Sequence, residues 1–227
     1  GILVGVIAAL LWQRFYRIKL PPYLAFFGGR RFVPIVTGLA ALVLGVLLAF
    51  AYPTFDRALT AFGGWLVQNH IVGAGLYGFA NRLLIPFGLH HILNSVPWFA
   101  VGRYETPSGE VVNGDIARFL AGDPTAGSFM TGFFPIMMFA LPAAALAIYH
   151  EAVPARRRFV GGVMLSGALA SFLTGVTEPL EFSFLFVAFP LYVIHAVLTG
   201  TSLALVNAIG IRDGFGFSAG FIDYALN

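Results

Sequence analysis

From Phe159 to Ile211 the chain carries only two charged residues, Glu178 and Glu181, set on either side of Pro179 in the stretch TGVTEPLEF. No other feature limits the fold as much. A helix needs about 20 apolar residues to cross some 30 Å of hydrocarbon, and this segment exceeds that length. Similar runs recur. Phe32–Tyr52 and Pro124–Tyr149 hold no charge, and Leu59–Asn81 and Leu83–Gly102 are interrupted chiefly by histidines, glycines and prolines. Hydrophobic residues make up 59% of the chain and charged residues 10%, against about 25% charged in an ordinary soluble domain. A soluble globule of this size cannot hide that much apolar surface. The expected class is therefore an all-α polytopic membrane protein, its solvent the lipid bilayer.

The few charges are clustered. Arg14, Arg17, Lys19, Arg30 and Arg31 lie together with no acid among them, and Arg156, Arg157 and Arg158 form a second group. Clusters at the ends of apolar runs mark cytoplasmic loops and anchor at lipid phosphates, so the net charge of +3 does not point to nucleic acid. The segment 103–123 is richer in acids and belongs on the opposite side. These placements agree if 32–52, 59–81, 83–102 and 124–149 each cross once. Pro86, Pro97 and Pro179 point instead to broken or re-entrant helical hairpins, in which the arginine count fails. With no cysteine, disulfides, thiolate catalysis and Cys-ligated metals are excluded. No phosphate loop is present, and no cofactor or metal is expected. The chain opens on GILVGVIAALLW without a Met and closes on FIDYALN, and reads as a piece of a longer protein.

An ionisable group at membrane depth costs about 2.5–3.5 kcal/mol and persists where it lines a cavity or meets a partner. Thr177 and Glu178, beside a proline that interrupts a helix, read as one wall of a polar cavity; the alternative is a loop tip among lipid headgroups. Glu181 is a weaker candidate. The second stretch is NRLLIPFGLHHILN, with Arg82, His90, His91 and Asn94. His90 and Asn94 share a helix face, while His91 points about 100° away. Adjacent histidines cannot both reach one metal ion from a regular helix. Sugar hydroxyls suit this mixture of donors and acceptors, and Trp98 can cover a ring face. His70, His150 and His195 stand alone and read as structural or interfacial. Asp115, Arg118, Asp123 and Asp223 read as turn, cap or pairing residues.

The segments FFGGRRFVPI, NRLLIPFGLHH, GDIARFLAGDPTAG, LTGVTEPLEFSFLFVA and FSAGFIDY occur in this order along the chain. The set resembles the membrane component (enzyme IIC) of bacterial phosphotransferase-system sugar transporters, within the glucose superfamily and its N-acetylglucosamine branch. The resemblance implies a fragment of a fold of about ten helices that forms homodimers in the bacterial cytoplasmic (inner) membrane. Residues 1–57 would be the later part of the scaffold and dimerisation half, and 58–227 the substrate-binding half, truncated at its C-terminus. It further implies that His90 and Glu178 contact the sugar, with Arg82 close by. A partner enzyme IIB domain would deliver phosphate from a phosphocysteine to the 6-hydroxyl. That cysteine is not in this chain, so any enzymatic role belongs to the complex. HHILNSVPWF and GFFPIMMFALPAA favour N-acetylglucosamine, with glucose as the alternative, and Asn94 and Trp98 could serve an acetamido group. From the residues alone, a proton-coupled secondary transporter relaying through Glu178 and His90 stays open, as does a scaffold without a site.

Overall fold

The computed structural model describes residues 2–227, with the side chains of all of these but Ile2, Leu59 and Val67. Two compact units divide the chain, Gly1–Ala58 and Leu59–Asn227, the division falling within one long helix. The first unit holds α1 (Ile2–Phe15), two short 3₁₀ turns (Pro22–Phe27 and Gly29–Arg31) and the greater part of α2 (Phe32–Gln68). The second holds the end of α2, then α3 (His70–Leu84), α4 (His90–Ser95), a hairpin of β1 (Arg103–Glu105) with β2 (Val111–Asn113), and α5 (Asp115–Leu120). It continues with α6 (Phe133–Glu151), α7 (Arg157–Thr174), α8 (Glu178–Leu185), α9 (Phe189–Ala208) and α10 (Phe221–Leu226). Among the described residues three helices are long and apolar enough to cross a membrane: Gly29–Leu66, α6 and α9.

α2 corrects one expected boundary. The segments 32–52 and 59–81 were to be separate spans, yet the helix runs on through Asp56 and Arg57 to Gln68. Pro53 lies inside the helix without ending it, and no other residue of 54–58 is a helix breaker. Arg57 donates from Nε to the Pro53 carbonyl at 3.1 Å and from Nη2 to Thr54 Oγ1 at 3.4 Å, so its charge is accommodated on the helix surface. The break comes at Asn69, whose side-chain amide donates to the Trp65 carbonyl at 2.9 Å and closes the end of α2.

The second unit buries a few charged side chains within an apolar core and turns many large apolar side chains outward. Arg82 and Glu181 are 1% and 0% exposed, whereas Phe186 and Val187 are 80% and 87% exposed. In water that arrangement would unfold; in lipid it is the stable one. Small residues bring α3 and α9 together. A side chain at Gly75 would stand 3.1 Å from Ala204 Cβ, and one at Gly78 3.3 Å from Gly200 Cα, so the glycines of HIVGAGLYG let the two backbones approach closely. Between these helices and α6 lies the core, formed by Tyr77, Phe129, Phe133, Met137, Leu203 and Phe215 among others.

Three aspartates tie down the connecting loops. The Asp115 carboxylate accepts from the amides of Gly127 (2.9 Å) and Phe129 (2.8 Å), folding the GDPTAG segment back on α5. Burial raises its pKa from the ordinary carboxylate value despite those bonds. Asp123 pairs with Arg118 at 2.7 Å and accepts from Thr125. Burial works to raise its pKa too, but the Thr125 and Arg118 hydrogen bonds outweigh it and hold the pKa low. Asp223 accepts from the amides of Gly216, Phe217 and Ser218, which fixes the loop ahead of α10.

Candidate functional site

Two helix interruptions build the site. The first follows α3. Pro86 lies in a 3₁₀ turn, Ile85–Phe87, and Gly88 takes the left-handed conformation at φ +67°, so α4 starts in a new direction with His90 as its first residue. A π turn, Val96–Ala100, then carries Pro97 and Trp98. The second interruption lies between α7 and α8, and here the structure refines the reading of TGVTEPLEF. Pro179 does not break a helix; it occupies the first turn of α8, where its missing N–H costs nothing. The break is made by Gly175, the left-handed cap of α7 at φ +69°.

Gly175 is confined by packing as well. A Cβ there would stand 2.8 Å from the Ser218 Cβ and 3.0 Å from the Ala219 amide. Gly175→Ala is therefore expected to destabilise the protein by about 1–2 kcal/mol from the backbone conformation alone, with more from the clash. Thermal melting of the detergent-purified variant measures this, and an unchanged midpoint would show that the turn can re-form without glycine.

The interruptions face one cavity of about 180 Å³. Its polar lining comes from Asn81, Arg82, His90, His91, Asn94, Thr177, Glu178 and Ser218; its apolar lining includes Trp98, Phe133 and Phe217. That volume suits one small molecule, being below the about 300–1,000 Å³ of pockets for drug-sized ligands. Glu178, the first residue of α8, accepts from the Thr177 amide through Oε2 at 3.1 Å. Arg82 crosses from α3 to donate through Nη1 to Glu181 Oε1 at 2.6 Å and to Thr177 Oγ1 at 3.2 Å, with its guanidinium 5.1 Å from the Phe133 ring centroid. Asn94 Oδ1 accepts from Asn81 Nδ2 at 2.6 Å and from the Tyr77 hydroxyl at 2.7 Å. That fixes the amide and leaves its NH₂ as a donor at the cavity wall. Trp98 uses its indole N–H on the Phe129 carbonyl at 3.2 Å, so it offers the cavity an apolar ring.

Of the eight residues singled out from sequence, the structure gathers seven around this cavity. The exception is Glu181, which is fully buried behind Arg82 and does not line it. His91 is exposed and lies against His90, with ring centroids 4.0 Å apart. Sequence reasoning missed Asn81 and Tyr77, which orient Asn94, and His195, whose Nε2 lies 3.2 Å from Glu181 Oε1. Asn81 and Tyr77 carried a signal, since four residues put them on one face of α3; His195 carried none. Among the described residues, Arg82 Nε and Nη2, His90 Nδ1 and Glu181 Oε2 are buried without a hydrogen-bond partner. Donors left over on a buried guanidinium are a pointer to a ligand site.

Charges and amides gathered inside, with aliphatic and aromatic side chains turned outward, define a helical membrane protein built around a polar pocket. The chain belongs to the EIIC family of the phosphotransferase system, its residues 1–200 matching that family (Phosphotransferase system, EIIC). It is 54% identical over 227 residues to a Streptomyces coelicolor protein named PTS system N-acetylglucosamine-specific EIIC component, covering all of this chain and 55% of that one. An Escherichia coli protein named as the N-acetylglucosamine-specific EIICBA component is 54% identical over 226 residues, covering 100% of this chain and 35% of its own. A Bacillus subtilis EIICB component of the same named specificity is 51% identical over 227 residues, again covering 100% of this chain and 49% of its own. The chain thus spans from 35% to 55% of the length of these relatives.

Proposed function

We propose that this chain is the sugar-binding part of a phosphotransferase-system permease that takes N-acetylglucosamine across the bacterial inner membrane. The observation that carries the reading is one cavity where Glu178, His90, Arg82 and Asn94 meet an apolar wall of Trp98, Phe133 and Phe217. A pyranose needs that combination: acceptors and donors for its hydroxyls, and flat apolar surface for its ring face. In this reading the Glu178 carboxylate accepts from hydroxyls near the reactive end of the sugar. Arg82, His90 and the Asn94 amide supply donors to hydroxyl oxygens and to the acetamido carbonyl. Residues 58–227 act as the substrate-binding half and 1–57 as part of the scaffold through which two copies dimerise.

Recognition and chemistry are divided between domains. The chain has no cysteine to carry a phosphoryl group, and two relatives are named as EIICB and EIICBA components. An enzyme IIB phosphocysteine domain is accordingly the partner that phosphorylates the 6-hydroxyl on the cytoplasmic face. The charged product no longer fits the route by which the neutral sugar entered.

Competition on protein purified from membranes tests the specificity. Unlabelled N-acetylglucosamine is expected to displace labelled N-acetylglucosamine at about tenfold lower concentration than glucose does, the worth of about one extra hydrogen bond. Equal or better displacement by glucose would overturn the substrate assignment, and absence of binding by either would overturn the site.

A further inference from the structure

The Asn94 amide is pinned from behind the cavity. Its Oδ1 accepts twice, from Asn81 Nδ2 at 2.6 Å and from the Tyr77 hydroxyl at 2.7 Å. Those two bonds use both lone pairs of that oxygen. Nδ2 donates to nothing among the described residues, yet it is not one of the polar atoms buried without a partner. It is therefore accessible, and the open space that Asn94 lines is the cavity. Tyr77 stands behind that wall. It is 0% exposed and does not line the cavity, and its ring meets those of Phe129 and Phe133 edge to face at centroid distances of 5.5 and 6.0 Å.

An asparagine amide has nearly the same shape either way round, so its neighbours decide which end faces a ligand. Turning Asn94 alone would set its Nδ2 against Asn81 Nδ2 at 2.6 Å, donor against donor. Turning both amides together restores that bond, but the Tyr77 hydroxyl then loses its acceptor. Among the described residues the bond to Asn94 is the only one that hydroxyl makes, and a buried donor without an acceptor is costly. Asn81 thus fixes the two amides relative to each other, and Tyr77 fixes their absolute sense. The wall presents an N–H donor to the cavity. Four residues on, Trp98 presents an apolar ring, its indole N–H being engaged by the Phe129 carbonyl.

We infer that Tyr77 and Asn81 are positioning residues that set the sugar specificity: by holding the NH₂ of Asn94 toward the cavity, they make it a donor to the acetamido carbonyl, with the acetamido methyl against Trp98. The inference rests on the reading of the cavity as an N-acetylglucosamine site. A carbonyl oxygen only accepts, whereas the 2-hydroxyl of glucose both donates and accepts. A donor at Asn94 therefore serves either sugar, while an acceptor in its place serves glucose alone. The sense of one amide decides whether the acetamido group is welcomed or repelled. Changing that sense moves the two sugars apart, which no merely structural role for these residues would do.

Competition between N-acetylglucosamine and glucose on protein purified from membranes reads the ratio of the two affinities. Asn94→Asp keeps the shape of the side chain and an oxygen for Tyr77 and Asn81, but puts a second acceptor where the NH₂ was. The ratio is expected to swing toward glucose by at least about tenfold, the worth of about one hydrogen bond. Asn81→Asp tests the positioning. Its carboxylate only accepts, so Asn94 turns its NH₂ toward position 81 and its oxygen toward the cavity, and the same swing is expected although Asn94 is unaltered. An unchanged ratio in either variant would overturn the inference, as would an equal loss of both sugars. Should neither acidic variant yield folded protein, Tyr77→Phe keeps the buried ring and frees the two amides to turn together. With both senses equally populated the ratio falls about twofold, and no fall would overturn the inference. If the unaltered protein binds neither sugar, or does not prefer N-acetylglucosamine, the proposed function has failed and the inference falls with it.

Discussion

Glu178→Gln is expected to weaken N-acetylglucosamine binding at least about a hundredfold while the protein still inserts in the membrane and melts normally. The substitution is nearly isosteric. Its amide oxygen can still accept from the Thr177 N–H that now meets Oε2 at 3.1 Å, so the turn into α8 should survive. What it removes is the charge and one of two acceptor oxygens. Hydrogen bonds to a charged group are worth about 1.5–3 kcal/mol each, and losing two such bonds to sugar hydroxyls corresponds to roughly 10²–10⁴ in affinity. His90→Ala removes a cavity-lining donor on the facing helix and should act in the same direction less severely. Equilibrium binding on purified protein decides both. A shift below about tenfold for Glu178→Gln would mean that the carboxylate faces the cavity without holding the sugar.

How far the sequence reaches can be judged residue by residue. Acids in a long apolar run, beside a proline, were enough to expect a helix interruption lining a polar cavity. Gly175 and Glu178 now stand at that place, although glycine rather than proline ends the helix. The four-residue step from His90 to Asn94 put both on one face, and both line the cavity. Hidden from sequence were relations fixed by tertiary packing. Arg82 and Glu181 are 99 positions apart, and nothing local to either names the other. His195 looked isolated because its partner lies across the turn between α8 and α9, where the chain reverses. The two acids of TEPLE were ranked by their distance from the proline, and Glu178 does line the cavity while Glu181 does not, but the burial of Glu181 against Arg82 was not foreseen. The continuous α2 was misread for a different reason: the apolar runs 32–52 and 59–81 were taken as separate spans, but the charges of Asp56 and Arg57 between them disfavour the bilayer interior without ending a helix.

The buried pair carries the largest stability effect expected of this protein. Glu181→Ala should destabilise it by about 3–5 kcal/mol, because it leaves the Arg82 guanidinium, 1% exposed, without its counter-charge. Phe133, 5.1 Å from the guanidinium, offers only a ring face in compensation. Removing both charges should be far milder than removing one. In the double variant Arg82→Met, Glu181→Met no ion remains to be desolvated, and replacement of a buried pair by apolar residues of similar volume is often neutral or stabilising. The measurement is melting in detergent of Glu181→Ala and of the double variant, with N-acetylglucosamine binding followed alongside. Recovery of the melting midpoint in the double variant, with binding still lost, would separate the two roles of the pair. Stability here depends on the charges balancing, whereas binding depends on a guanidinium being present at all. A double variant as unstable as Glu181→Ala would instead show that α3, α8 and α9 need the hydrogen bonds of Arg82 and not merely its neutralisation.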